Sequence, residues 1–325
     1  MVTIDVSTIA KLFDVTGPIS MPAYGTILDG SNLRTTLEKE VQQDYFTREG
    51  GKTENEPKKI IGEAMPIFMN RLMDGMKDAK KVGLITNILS DALKEKGILL
   101  SLHQSNIQSL IEQNNLEGQV KDSSASDYLY VNNSNLWVTK SSLSVEETID
   151  MSVKIDSEGV VENQLEIIRK HIGGSAFPDG TNYNFVRVLL PSESQINTFT
   201  PVAGNFHIRD SALYRNGGDK YWVAPETGKT KVVFWQTTNP GEVSQSKMSY
   251  LSGYKVKMRK DGFEYRINLQ KQPGSLPDHI HLEVNYPIRY QPINVTNIDQ
   301  ATNKFLLELD LKSDKEIVIE FKKIF

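Results

Sequence analysis

The sequence predicts an α+β protein, a partial α/β unit at the N-terminal end followed by antiparallel β-sandwich-like domains. Three observations predict it. Apolar residues recur at helical spacing over most of the first third of the chain. Beyond Asp127-Tyr128-Leu129-Tyr130-Val131 that period gives way to short alternating runs separated by turn residues. Finally, Tyr265-Arg266-Ile267-Asn268-Leu269-Gln270-Lys271-Gln272-Pro273-Gly274 carries a strand straight into a turn dictated by proline and glycine. A chain of 325 residues usually divides into cores of roughly 100 to 150 residues. The expected domains are residues 1–126, 127–240 and 241–325, with the last joint near Asn239-Pro240-Gly241.

From the start, Val2 to Val6 reads as the middle of a strand, so the chain looks like a portion of a larger protein. Val6 to Leu12 is a short apolar strand or helix that Thr16-Gly17-Pro18-Ile19 breaks. Ser31 is placed to cap a helix reaching Gln43, with Leu33, Leu37 and Val41 on one side. An exposed loop containing Gly50-Gly51 leads to a helix from Pro57 to Met73, apolar through Ile60, Ala64, Ile67 and Phe68 and kinked at Pro66. A second helix spans Leu84 to Lys96 and stops at Gly97, a buried strand follows at Ile98 to Leu102, and a third helix covers Ser105 to Gln113. Turns are expected at Asp156-Ser157-Glu158-Gly159 and Asp179-Gly180. Strands are expected at Phe185–Leu190, Lys231–Trp235, Ser249–Val256, Phe263–Leu269, Ile280–Val284, Phe305–Leu309 and Ile317–Phe321.

Composition narrows the function. The 37 basic and 41 acidic residues are interspersed and sum to a net charge of -4, so no basic stripe is available to neutralise a phosphate backbone, and nucleic acid is not an expected partner. There is no cysteine, which excludes disulfides, thiolate metal sites and a cysteine nucleophile. No run reaches the roughly 20 apolar residues of a membrane helix; a membrane would be engaged only through an upstream anchor. No catalytic constellation assembles in the sequence, and no cofactor is expected.

Five groups of residues invite a chemical reading. His279 and His281 are two apart in a strand, which puts both imidazoles on one face as the start of a metal site, although a third ligand is not evident and solvated surface histidines are the plainer reading. His103, His171 and His207 are isolated. Gly173-Gly174 and Gly217-Gly218 lack the strand, loop, helix order that aims amides at phosphate and read as turns. Tyr214, Tyr221, Trp222 and Trp235 would suit either a sugar-stacking groove or a sandwich core. Asp44 and Arg48, with Glu49, form a charged knot between two helices in which the arginine would meet an anionic or pyrophosphate group, or simply lie solvated.

The order of motifs resembles a family of bacterial surface proteins, domain of unknown function 4012. The resemblance runs through Ile4-Asp5, Thr16-Gly17-Pro18, Ser31-Asn32-Leu33, Lys96-Gly97-Ile98-Leu99-Leu100, Asp127-Tyr128-Leu129-Tyr130-Val131, Arg187-Val188 with Pro191, and Gln270-Lys271-Gln272-Pro273-Gly274. It implies a protein anchored by an N-terminal membrane helix and facing the outside of the cell, without enzymatic activity, using its β domains for adhesion or for contact with envelope glycans or another surface protein. The first part is also distantly similar to the C-terminal half of the LytR-CpsA-Psr glycopolymer transferases, with Gly17-Pro18-Ile19 at a turn position and Arg48 as the counterpart of a loop arginine. That resemblance implies an alternative, a fragment or relative of a transferase acting on polymers linked to lipid pyrophosphate, with Asp44 and Arg48 near the pyrophosphate.

Overall fold

The computed structural model describes residues 1–48, 56–136, 139–200, 221–295, 298–299 and 303–324. Gly50-Gly51, His207, Tyr214 and Gly217-Gly218 lie outside them, as do the side chains of Arg48 and Trp222. The chain divides into two compact units, Met1–Gln119 and Val120–Phe325.

In the first unit β1 (Val2–Ile4) leads into α1 (Val6–Thr16), so the segment the sequence left between strand and helix is helical. The Asp5 carboxylate accepts from the Thr8 amide at 2.7 Å and satisfies an amide that has no partner within the helix. Gly17, at φ 87°, ends the helix in a region that favours glycine. The hairpin β2 (Ile19–Met21) and β3 (Thr26–Leu28) follows. Then α2 (Leu33–Lys39) passes through a π turn at Glu40–Asp44 into α3 (Tyr45–Arg48). Ser31 is not the cap of α2. The N-cap position is Asn32, which makes no side-chain cap bond, and the Asp29 carboxylate instead holds the turn before the helix, accepting from the amides of Ser31 and Asn32 and from the Ser31 hydroxyl. The remaining elements are α4 (Lys59–Gly75, with Pro66 inside it), α5 (Ala79–Lys94), β4 (Ile98–Leu100) and α6 (Ser105–Gln113). β4 pairs antiparallel with β1. Leu12, Phe13, Ile60, Phe68 and Ile85 make the core of this unit, with the Phe13 and Phe68 rings stacked 4.9 Å apart.

The second unit holds fourteen strands among its described residues. They are β5 (Asp127–Asn135), β6 (Val145–Ile155), β7 (Val160–His171), β8 (Asn182–Pro191), β9 (Gln195–Thr200), β10 (Tyr221–Glu226), β11 (Lys229–Thr238), β12 (Val243–Lys255), β13 (Gly262–Gln270), β14 (Asp278–Asn285), β15 (Tyr290–Pro292), β16 (Ile298–Asp299), β17 (Lys304–Leu311) and β18 (Lys315–Lys323). They form two seven-stranded sheets, ordered β10-β11-β8-β5-β13-β18-β15 and β16-β17-β14-β6-β7-β12-β9. Val131, Val188, Phe234 and Ile267 of the first sheet and Ile149, Leu165, Tyr250 and Leu282 of the second enter one core. This is a β-sandwich, and each sheet contains strands from both sides of residue 240. The division expected at Asn239-Pro240-Gly241 is therefore corrected: that segment is the turn between β11 and β12, with Gly241 at φ 77°. Two parallel pairings, β5 with β13 and β6 with β14, join the halves and interrupt an otherwise antiparallel pattern.

The turn expected at Asp156 closes the β6–β7 hairpin. The Asp156 carboxylate accepts from the Glu158 and Val160 amides, and Gly159 takes φ 82°. A tighter constraint sits in β12, where a Cβ on Gly253 would lie 1.7 Å from the Ser192 carbonyl oxygen. Since the obstacle is backbone, Gly253→Ala is expected to destabilise the unit by about 1–3 kcal/mol, read as a lowered midpoint of urea unfolding; an unchanged midpoint would show that the Ser192 turn yields freely.

Candidate functional site

The outer face of the second sheet carries a groove of about 550 Å³ crossing β17, β14, β6, β7, β12 and β9. Strand alternation puts Ile149, Met151 and Val153 of β6 into the core and Asp150 and Ser152 outward; β7, β12 and β14 do the same with Glu166, Lys247 and His281. Register then aligns the outward residues in two rows. One runs Glu308, His281, Asp150, Glu166, Lys247, Thr200, and the other Leu306, Glu283, Ser152, Gln164, Ser249, Thr198. With strands about 4.8 Å apart, six strands make a trough roughly 24 Å across.

The rows are partly wired together. His281 Nδ1 lies 2.7 Å from Asp150 Oδ1, the Lys247 ammonium 2.9 Å from Glu166, and the hydroxyls of Thr198 and Ser249 2.7 Å from each other. Burial pushes the Glu283 carboxyl up, but donation from Asn285 and Lys304 outweighs it and holds the group below the usual carboxylate range, so it is ionised. Of the three carboxylates in the groove (Asp150, Glu166, Glu283), Glu166 is paired with the Lys247 ammonium and Glu283 with that of Lys304, and Asp150 faces His281. Asp150 and Glu166 stand directly opposite across β6 and β7, a like-charge pair whose repulsion His281 and Lys247 moderate from either side. The trough offers hydroxyls, an amide and carboxylates. These groups suit hydroxyl-rich or amine-bearing ligands.

The residues singled out in the sequence fall as follows. His279 and His281 do share one face, their rings 4.8 Å apart. Each faces a carboxylate, Asp310 at 2.8 Å and Asp150 at 2.7 Å, and no group of three or more His, Asp or Glu among the described residues is arranged to hold a metal. Trp235 does not line a groove: it is 2% exposed and packs edge-on against Phe185. Tyr221 lies on Phe199 and faces the core. His171 is buried, with Nε2 2.8 Å from the Gly180 carbonyl and Nδ1 accepting from the Gly173 amide. The amide of Gly174 meets the carboxylate of Asp179, which fills the place an external anion would take. In the first unit Asp44 pairs with Lys39 at 3.6 Å, and Arg48 closes α3. The turn at Gly17-Pro18 is latched by Arg71, which donates to both carbonyls.

The Gln270-to-Gly274 segment works as a clamp. Gln272 mimics a neighbouring strand, accepting from the Asn133 amide at 2.7 Å and donating to the Asn133 carbonyl at 2.9 Å. Gln270 accepts from the Lys121 amide and the Tyr128 hydroxyl. The Lys271 ammonium donates to the Gln272 and Ser275 carbonyls, both at 2.9 Å. The motif stands out in the sequence but its use does not, because the partners of Gln270 and Gln272 (Lys121, Tyr128 and Asn133) are brought by tertiary structure.

No protein-family model matches the chain, and no curated protein matches it. Among solved structures it is similar to a "putative nutrient binding protein" of Legionella pneumophila, at 12% identity and a TM-score of 0.36, over 57% of this chain and 69% of that one. It is also similar to an M1 zinc metallopeptidase of Deinococcus radiodurans, at 9% identity and a TM-score of 0.29, over 55% of this chain and 42% of that one. The chain thus spans less than half the length of the metallopeptidase.

Proposed function

We propose that this protein is a binding module of the bacterial cell surface that receives a hydroxyl-rich envelope glycan along the trough of the second sheet. The observation that carries the reading is the pair of register-matched rows crossing six strands, polar at every position except Leu306. Its hydroxyls and the Gln164 amide, with three carboxylates against the two ammonium groups of Lys247 and Lys304, favour uncharged or amine-bearing sugars over phosphate-linked polymers. The resemblance of the motif order to the surface-protein family supports the outward-facing location and a membrane anchor supplied by another segment of the protein. Among the described residues no helix is long and apolar enough to cross a membrane.

The test is an array of neutral, amino and anionic oligosaccharides probed with the full chain and with Ser249→Trp. Ser249 is half-buried in the trough floor on β12, and an aromatic side chain suits a strand, so the variant fills the trough without breaking the sheet. Neutral or amino sugars are expected to bind and to lose at least about tenfold in affinity, roughly 1.4 kcal/mol. Binding only to anionic glycans, or binding indifferent to Ser249→Trp, would refute the reading.

A further inference from the structure

Basic residues that the sequence intersperses are gathered by the fold at one end of the sandwich. Antiparallel pairing sets Gly262 opposite Lys322 and Tyr290 opposite Lys323, which brings the β12–β13 connection, the loop before β15 and the end of β18 side by side. Backbone bonds fasten them. The Lys323 amide donates to the Asp261 carbonyl at 2.8 Å, and the Ile324 amide to the Arg289 carbonyl at 3.0 Å. These three segments carry Lys255, Lys257, Arg259, Lys260, Arg289, Lys322 and Lys323 against one carboxylate, Asp261. The β6–β7 turn adjoins them, since the Val256 amide donates to the Gly159 carbonyl at 2.8 Å. With its Asp156 and Glu158, and with Glu320 of β18, the ratio is still seven cations to four carboxylates, in a chain whose net charge is -4. Arg259 is half-buried and the other six cations are exposed, and none of the seven side chains joins an ion pair among the described residues. Two isoleucines stand among them in the open, Ile288 at 65% and Ile324 at 49% exposure.

We propose that this end of the sandwich docks on the surface of an anionic lipid bilayer, with Ile288 and Ile324 entering the head-group layer and the surrounding lysines and arginines resting on it. Both halves of the patch are then answered. Anionic head groups meet the unpaired cations, and the boundary of the acyl layer takes the isoleucines out of water. A soluble polyanion would meet the charge alone and leave both apolar side chains exposed. The trough lies on the outer face of the second sheet, so this contact and the glycan reading stand or fall separately.

Co-sedimentation of the full chain with vesicles tests the contact. Vesicles of phosphatidylcholine with about one-third phosphatidylglycerol should carry the protein down, and vesicles of phosphatidylcholine alone should not. Raising the salt from about 0.1 M to about 1 M, which shortens the screening length from ~10 Å to ~3 Å, should weaken binding at least about tenfold. Lys322→Ala combined with Lys323→Ala should cost about 25-fold, at roughly fivefold per cation near such a surface, while Lys322→Arg with Lys323→Arg should bind as wild type does. Ile288→Ser should weaken vesicle binding with every charge kept. All three positions are exposed, so the variants are expected to fold, which thermal melting checks. Polyphosphate, which offers charge without an apolar layer, is expected to leave the protein unbound at physiological salt. Polyphosphate bound as tightly as the vesicles would make the patch a polyanion site and overturn the proposal. So would a wild type that stays in solution with anionic vesicles, or vesicle binding indifferent to Ile288→Ser or to the paired alanines.

Discussion

Replacing Asp127 with alanine is expected to lower the stability of the Val120–Phe325 unit by roughly 3 kcal/mol or more, since buried donors left without an acceptor cost about 1–3 kcal/mol each. Asp127 is fully buried at the start of β5. One carboxyl oxygen accepts from the Tyr128 amide at 3.0 Å and the Ser252 hydroxyl at 2.9 Å, and the other from Asn163 at 3.1 Å and the Tyr265 hydroxyl at 2.9 Å. Tyr265 belongs to the first sheet, while Asn163 and Ser252 belong to the second. A single carboxyl thus bolts the two layers together. Burial pushes its pKa up and the donors pull it back. Asp127→Asn keeps the shape but sets an amide donor against groups that themselves donate, so it should fall between wild type and Asp127→Ala. Urea unfolding of the three proteins decides the matter: a midpoint for Asp127→Ala within error of wild type would mean that the sheets are held by apolar packing alone.

Asp278→Asn should act in the opposite direction, and only at higher pH. The Asp278 carboxyl, raised from 3.8 to about 8 in the folded protein, binds its proton more tightly folded than unfolded. Its stabilising contribution is therefore complete below about pH 4 and is lost as the pH rises through about 8. Over that window wild type should lose stability relative to Asp278→Asn at up to ~1.4 kcal/mol per pH unit, so the variant melts higher than wild type at pH 8 and close to it near pH 4. Tm measured for both proteins across pH 4–8 tests this, and parallel profiles would show that Asp278 titrates as an ordinary surface carboxylate.

Much of the local structure was legible in the residues. Helical spacing placed α4, α5 and α6 within a turn or so of their observed bounds, and Asp156 with Gly159 gave the β6–β7 turn, because short-range hydrogen bonds and glycine's freedom decide such features. Two-residue alternation correctly put His279 and His281 on one face. What escaped depends on register between distant strands. The contact of His281 with Asp150 spans 131 positions, and only the parallel pairing of β6 with β14 creates it. The same pairing, with that of β5 and β13, makes a single sandwich where a proline-glycine turn suggested a boundary. Trp235 was ambiguous for a related reason: β11 is covered on both faces, so its aromatic residues are core, and alternation cannot reveal a second covered face.

The central claim, that the trough of the second sheet is the receptor surface, is tested most directly by titrating the full chain in a calorimeter with the best neutral or amino oligosaccharide from the array and, separately, with polyphosphate. Wild type should bind the sugar and not the polyphosphate, and Ser249→Trp should weaken the sugar at least about tenfold with its melting curve intact. Tighter binding of polyphosphate, or a sugar affinity that Ser249→Trp leaves unchanged, would contradict it.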